Sequence, residues 1–237
     1  MLRQIILCSI LIASINTMKN FKQYLTEQKS QNTEIKCDIN GICKKIRTYE
    51  SAGNEEKILG VYKDVKGLPT IGHGHLVTPK SESVFAEVFP EEHKKDPSFG
   101  KTVLSGKGRL TSDQAEKLLQ RDVRVRLPEV KKLVPKFEEL SGELQGELTS
   151  EHFRGMLGKS KKTLEHINKG QYDEASKEFL NAKDYRESVA QKTGVAKRME
   201  NLSTALKKEA ELQKKRLASQ TTQAPAQPAI SQTAPSR

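Results

Sequence analysis

The chain has 237 residues, which is long enough to bury a core that does not need disulfide bonds or a metal ion for stability. Its 41 Lys and Arg residues outnumber its 30 Asp and Glu residues and give a formal net charge of +11. This charge favours polyanionic partners but does not choose among nucleic acid, anionic lipid and the bacterial envelope. Three cysteines are too few for a disulfide scaffold. Cys37 and Cys43 are the only plausible pair, and both a bridge and two free thiols remain open.

The N-terminus contains an apolar run over residues 4–16, behind Arg3. This run is shorter than the about 20 residues that a membrane-spanning helix needs. Residues 1–17 are therefore interpreted as a secretory signal or an arrested anchor, unless translation starts at Met18 and removes the run. Residues 18–40 are polar and are interpreted as a weakly ordered arm.

Helical periodicity begins at Gly41, because Ile42, Ile46 and Tyr49 recur at the spacing of one buried helix face. Glu50 stands at the end of this predicted helix, and residues 51–54 break it. We expect one folded domain over residues 41–215.

A β-hairpin is predicted next. Residues 58–64 are β-prone, Lys66 and Gly67 signal a turn, and the return strand runs through Thr70 and Ile71. Asp64 and Thr70 lie six residues apart on the two arms of this hairpin.

The charged, proline-containing residues 79–109 predict an irregular insertion with one short helix around residues 83–88. Thr111 and Gln114 form a capping-box pattern that begins an amphipathic helix, and Pro128 is expected to kink or end it. Several further helices follow. Residues 216–237 carry too little apolar surface to offset the entropy of ordering and are predicted to be a disordered tail.

Two of these residues suggest an enzyme. Glycoside hydrolysis needs one carboxylic acid that stays protonated and a second carboxylate that stays ionised. Glu50 beside Tyr49 fits the first requirement, and Asp64 in a polar turn fits the second. Two ordinary surface charges would give the same pattern.

The pattern from Tyr62 to His75, YKDVKGLPTIGHGH, resembles the signature Y-x-D-x-x-G-x-x-T-I-G-x-G-H of the T-even phage lysozyme family, the phage muramidases of glycoside hydrolase family 24. Two weaker blocks, at residues 110–123 and 170–198, are similar to the family's linking helix and its late C-terminal helices. The resemblance covers roughly residues 41–212.

The resemblance implies an α+β, mostly helical, two-lobed fold with a small hairpin sheet. It also implies hydrolysis of the β-1,4 bond between N-acetylmuramic acid and N-acetylglucosamine, without metal or cofactor. In the family the Glu is the general acid, the Asp positions or activates the attacking water with inversion, and the Thr holds that water. Glu50, Asp64 and Thr70 take these roles here.

The number of residues between the general acid and Asp64 differs from that in the family. Glu50 precedes Asp64 by fourteen residues, whereas Glu55 lies at the family's usual distance of nine. Glu55 is therefore an alternative general acid. We prefer Glu50, because it ends an amphipathic helix whose buried face would desolvate it, whereas Glu55 lies in a polar run.

Other residues receive supporting roles. His73 and His75 lack a nearby third ligand, so a structural hydrogen bond is the better interpretation of His75, as in the family. By resemblance, Arg198 faces the active-site Glu from the C-terminal lobe. The basic cluster Lys159, Lys161 and Lys162 is read as a solvated surface.

The expected partner is bacterial peptidoglycan, reached in the periplasm or cell wall by an exported lysis enzyme or a virion-associated protein. We expect a monomer outside a phage particle, contacts with other virion proteins within one, and no nucleic-acid binding. Two rival functions stay open: a lytic transglycosylase, which uses one Glu and no water-positioning Asp, and a non-catalytic virion or wall-binding protein with the same fold.

Overall fold

The computed structural model describes residues 39–50, 55–64 and 66–222, with side chains as far as residue 219. The predicted signal or anchor segment, nearly all of the polar arm, Cys37 and the end of the tail lie outside these residues. Cys43 is buried, and its pairing with Cys37 stays a prediction. No helix among the described residues is long and apolar enough to cross a membrane.

The chain forms two compact units. The first contains the chain as far as Lys131 together with Lys136–Phe153, and the second contains Lys132–Pro135 and everything from Arg154 onward. The fold is mostly helical with one small antiparallel sheet, as the sequence predicts.

The first unit begins with helix α1, Ile39–Glu50, and the short helix α2, Glu55–Ile58. The sheet follows, in the order β1-β2-β3 with strands Tyr62–Lys63, Pro69–Ile71 and His75–Leu76. Three short helices come next, α3 (Ser81–Val88), α4 (Pro90–Lys95) and α5 (Phe99–Leu104). The long helix α6 spans Ser112–Leu133, with its last two residues assigned to the second unit, and α7, Gly142–Phe153, completes the first unit.

The short helix predicted around residues 83–88 is confirmed by α3, but the rest of residues 79–109 is not irregular, because it forms two further helices. Pro90 occupies the first turn of α4, where no N–H is needed, so it starts a helix instead of breaking one. The rings of Phe85 and Phe89 lie 5.3 Å apart, and those of Phe89 and Phe99 lie 5.8 Å apart. These contacts join α3, Phe89 between α3 and α4, and α5 to a core that contains Ile71 and Leu118.

Helix α6 starts as predicted. The N–H of Gln114 donates to the Thr111 hydroxyl, and the N–H of Thr111 donates to the Gln114 side chain, which is a complete capping box. Pro128 does not end the helix, which continues to Leu133. Pro128 and Arg124 are both exposed, so the carbonyl that Pro128 leaves without a donor can bind water.

The second unit contains helices α8 (Lys161–Asn168), α9 (Tyr172–Leu180), α10 (Lys183–Ala190) and α11 (Gly194–Thr222). The buried faces contain Tyr172, Ala175 and Phe179 on α9, and Met199, Leu202 and Leu206 on α11. Helix α11 includes residues 216–222, which the sequence analysis assigned to the tail.

Candidate active site

Glu50 is the last residue of α1 and is half-buried. Ile42 and Ile46 on the same helix are buried, as their spacing predicts, and fix α1 against the first unit's core. On α7, the buried carboxylate of Glu147 accepts hydrogen bonds from the Tyr49 hydroxyl and the Lys45 ammonium, both at 2.9 Å. Helix α1 is thus anchored immediately before Glu50.

Gly74 brings the chain close to Glu50. A Cβ atom at Gly74 would lie 3.7 Å from the Glu50 carboxyl carbon and only 3.0 Å from the Phe153 ring. Its φ of +95° is also a conformation that side-chain-bearing residues avoid. Glycine at this position therefore leaves the Glu50 carboxyl group room between a backbone turn and an aromatic ring.

Asp64 closes the hairpin turn between β1 and β2. Its Oδ1 accepts hydrogen bonds from the N–H groups of Lys66 and Leu68, both at 2.8 Å. Gly67 supplies the positive φ of +76° that the turn requires. The carboxylate is held in one orientation by the turn that it closes.

Thr70 lies in β2 opposite Tyr62 of β1, and it is buried. Its hydroxyl donates to the carbonyl of Leu68 at 3.1 Å. The hydroxyl oxygen retains lone pairs that can accept a hydrogen bond.

Tyr62 is a site residue that was not predicted, and it lies within electrostatic range of both carboxylates. Burial raises its pKa to about 12, with further contributions from the negative charges of Glu50 and Asp64. Its hydroxyl donates to the carbonyl of Gly72 at 3.2 Å. Both acidic side chains therefore act on one phenol group. The position of Tyr62 in the signature, two residues before Asp64, was the sequence signal that could have identified it.

Glu55 differs from Glu50 in its surroundings. It lies in the first turn of α2 and is exposed. Both carboxylates act electrostatically on His73, so both lie in the same region. The difference in burial is consistent with the preference for Glu50.

His73 is a buried histidine beside these acids. Burial lowers its pKa, Arg47 acts in the same direction, and the carboxylates of Glu116, Glu55 and Glu50 oppose the shift. Its Nδ1 has no hydrogen-bond partner among the described residues.

His75 makes structural hydrogen bonds through both ring nitrogens. Nδ1 lies 2.7 Å from Asp122 and Nε2 lies 3.2 Å from the Ser81 hydroxyl. The described part of the chain contains no group of three His, Cys, Asp or Glu side chains suited to a metal ion.

Phe153 is a second residue that sequence reasoning missed. Besides its approach to Gly74, its ring lies 4.3 Å from the guanidinium carbon of Arg126. Nothing in the local sequence around Phe153 indicates a partner 79 residues away. Arg198, by contrast, lies half-buried on α11 of the second unit, and its role towards Glu50 stays a prediction.

Compared one by one with curated proteins, the chain matches none of them. The sequence profile described as "Phage lysozyme" matches residues 52–201, more than half of the chain. The matched segment begins two residues after Glu50 and includes Glu55, Asp64 and Thr70. The chain therefore belongs to the phage lysozyme family, a family of lysozyme-type hydrolases that degrade peptidoglycan.

Proposed function

We propose that the protein hydrolyses the β-1,4 bond between N-acetylmuramic acid and N-acetylglucosamine, with Glu50 as general acid and with a water positioned by Asp64 and Thr70. The observation that carries this proposal is the arrangement around Tyr62. Glu50 and Asp64 both act on its phenol group, and Thr70 is its strand partner.

The surroundings of Glu50 suit a proton donor. The carboxyl group is half-buried at a helix end, close to a glycine turn and the Phe153 ring. A proton donor must be held within hydrogen-bond reach of the leaving glycosidic oxygen, and a carboxyl group at the end of an anchored helix is held in one place.

The hairpin suits a water-positioning role. Both turn hydrogen bonds of Asp64 use Oδ1, so Oδ2 can accept a proton from water. The Thr70 hydroxyl donates to a backbone carbonyl, so its oxygen can accept the water's second hydrogen. Two fixed acceptors would orient the water for attack at the anomeric carbon.

Turnover of purified peptidoglycan by three isosteric variants tests these assignments. We expect Glu50→Gln to lose about 10²-fold or more in rate, because a general acid typically contributes 10²–10⁴-fold. Asp64→Asn is expected to lose activity as well, while the matched control Glu55→Gln stays within a few-fold of wild type. The reverse outcome for the two glutamates would assign the acid to Glu55.

Mass spectrometry of the released fragments tests the reaction type. Hydrolysis leaves a reducing N-acetylmuramic acid end. A 1,6-anhydro end would instead indicate a lytic transglycosylase, and no release by a folded protein would indicate a wall-binding protein.

The site of action is proposed to be the bacterial cell wall, reached from the periplasm or from a phage particle. The net charge of +11 supports this proposal, since the envelope is anionic. Immunogold labelling of producing cells and of purified particles would distinguish the two routes.

A further inference from the structure

The turn that joins β2 to β3 lies beside the proposed general acid and is held on both sides. Gly72 and Gly74 have positive φ angles of +61° and +95°, so the chain reverses tightly around the residue between them, His73. The Tyr62 hydroxyl donates to the carbonyl of Gly72 at 3.2 Å and also makes a hydrogen bond with the backbone of Gly74. The N–H of Gly72 donates to the carbonyl of Ile58 at 2.7 Å. The backbone on either side of His73 is therefore fixed.

The side chain of His73 lies inside the first unit, where it is only 6 % exposed. Charged groups of three helices act on its ring: Arg47 and Glu50 of α1, Glu55 of α2 and Glu116 of α6. The ring therefore lies within the group of charges that surrounds the proposed acid, although the proposed hydrolysis assigns it no task.

Two buried polar atoms of this group make no hydrogen bond with any described residue, Nδ1 of His73 and Oε2 of Glu116. Arg47 lies 3.3 Å from the same carboxylate oxygen, but the contact is an ion pair that is not aligned as a hydrogen bond. Of the four charged side chains, Glu116 has the largest effect on His73. Buried polar atoms normally have partners. A ring nitrogen that carries a proton can donate, and a carboxylate oxygen can accept, so the two atoms are complementary.

We propose that His73 is a positioning residue for Glu50, which acts through a hydrogen bond with Glu116, made directly or through one bound water. The bond would hold the ring against α6, and the ring would hold the turn. The turn would in turn hold Glu50, because a Cβ atom at Gly74 would lie only 3.7 Å from the Glu50 carboxyl carbon. His73 needs no contact with the glycan for this role. The inference rests on the proposed function of Glu50 as general acid.

Turnover of soluble peptidoglycan fragments by variants of His73 tests the positioning role. His73→Leu is expected to lower kcat by about tenfold, because misplaced catalytic groups are costly. KM should stay unchanged, since the buried ring does not bind the glycan. His73→Asn keeps a donor near the position of Nδ1 and should retain kcat to within about threefold. His73→Gln places its amide nearer the position of Nε2 and should not restore kcat. Unchanged kcat in the leucine variant would overturn the inference.

A double-mutant cycle tests the pairing with Glu116. If the two side chains act together, His73→Leu/Glu116→Met should lose no more than about twofold in kcat beyond the larger single loss. Glu82→Met is the control, because it removes an exposed carboxylate of α3. Its effect should add to that of His73→Leu. Additive losses for Glu116 as well would overturn the pairing.

Amide hydrogen exchange supplies a readout that does not depend on turnover. The N–H of Gly72 is hydrogen-bonded across the turn. Relative to the amides of α6, its exchange is expected to be about tenfold faster in His73→Leu and close to wild type in His73→Asn. Unchanged exchange in the leucine variant would overturn the positioning role.

Failure of this inference can be told apart from failure of the proposed function. A folded wild-type protein that does not cleave peptidoglycan would overturn the proposed function. An active wild type whose leucine variant keeps both its kcat and the slow exchange of Gly72 would overturn only the role of His73.

Discussion

At the scale of single residues, Gly74 connects the backbone to the proposed chemistry. Gly74→Ala places a Cβ 3.0 Å from Phe153 in a backbone with φ of +95°. We expect a stability loss of about 1–3 kcal/mol from backbone strain. We also expect a fall in activity of about tenfold or more, because Glu50 and Phe153 must move and misplaced catalytic groups are costly. Chemical denaturation and peptidoglycan turnover measure the two effects.

Gly106 provides a matched control for this change. It has a φ of +77°, and an added Cβ would meet nothing within 4 Å. Gly106→Ala should therefore show comparable backbone strain with unchanged turnover per folded molecule. If both variants lost activity equally, the contact of Gly74 with Glu50 would have no catalytic role.

His73 predicts a pH dependence of stability. Burial holds its folded-state pKa below the ordinary 6.5, so the unfolded chain binds a proton first as the pH falls. The contribution of neutral His73 is fully present above pH 6.5 and is lost as the pH falls from 6.5 through the lowered folded-state pKa. Replacing His73 with leucine should flatten the measured free energy of unfolding in this window.

The control for this prediction is His93→Gln on α4. His93 is half-exposed, so this variant removes a histidine without changing the buried surroundings of His73. Because Glu116, Arg47, Glu55 and Glu50 all act on His73, the unfolding curves should also be measured in a Glu55→Gln background. A His73 variant with the wild-type slope in both backgrounds would assign the pH dependence to other groups.

At the scale of elements, the capping box fixes the start of α6. Thr111→Ala removes the hydroxyl that accepts the Gln114 N–H at 3.2 Å. We expect a loss of about 1 kcal/mol in the free energy of unfolding. Thr102→Ala is the control, because Thr102 is also exposed but lies within α5 and caps no helix. Equal losses from the two substitutions would mean that the cap adds nothing to stability.

Local signals in the sequence predicted several elements correctly. The box at Thr111 and Gln114 depends on residues three apart, and the hairpin depends on Asp64, Gly67 and Thr70 within one short stretch. Helix α3 was predicted around residues 83–88, whereas α4 and α5 were missed. Pro90 was taken as a helix breaker although it starts α4, and α5 is held by the contact of Phe99 with Phe89, which residue spacing within one helix does not show.

Only the part of the candidate site that lies within a short stretch of sequence could be predicted. Asp64 and Thr70 lie in a recognisable motif and Glu50 precedes it, whereas the contact between Phe153 and Gly74 joins distant parts of the chain. The preference for Glu50 over Glu55 stays a prediction, and Glu50 is the more buried of the two side chains.

At the scale of the whole molecule, the net charge of +11 predicts salt-dependent wall binding. Rising ionic strength shortens the range of electrostatic attraction, to about 8 Å at physiological salt. We therefore expect KM for intact sacculi to rise with salt while kcat stays constant. An uncharged soluble oligosaccharide is the control substrate, and its KM should not change. A salt-dependent kcat on both substrates would place the effect within the active site instead.

The two hydrogen bonds that hairpin N–H groups donate to Asp64 restrict the choice of an inactive variant. Asp64→Ala would remove both hydrogen bonds that stabilise the turn. Loss of activity in that variant could therefore result from a disrupted turn and not from the missing carboxylate. Glu50→Gln leaves these two hydrogen bonds intact. To trap a bound glycan, the proton donor Glu50 should therefore be replaced and the hairpin left unchanged.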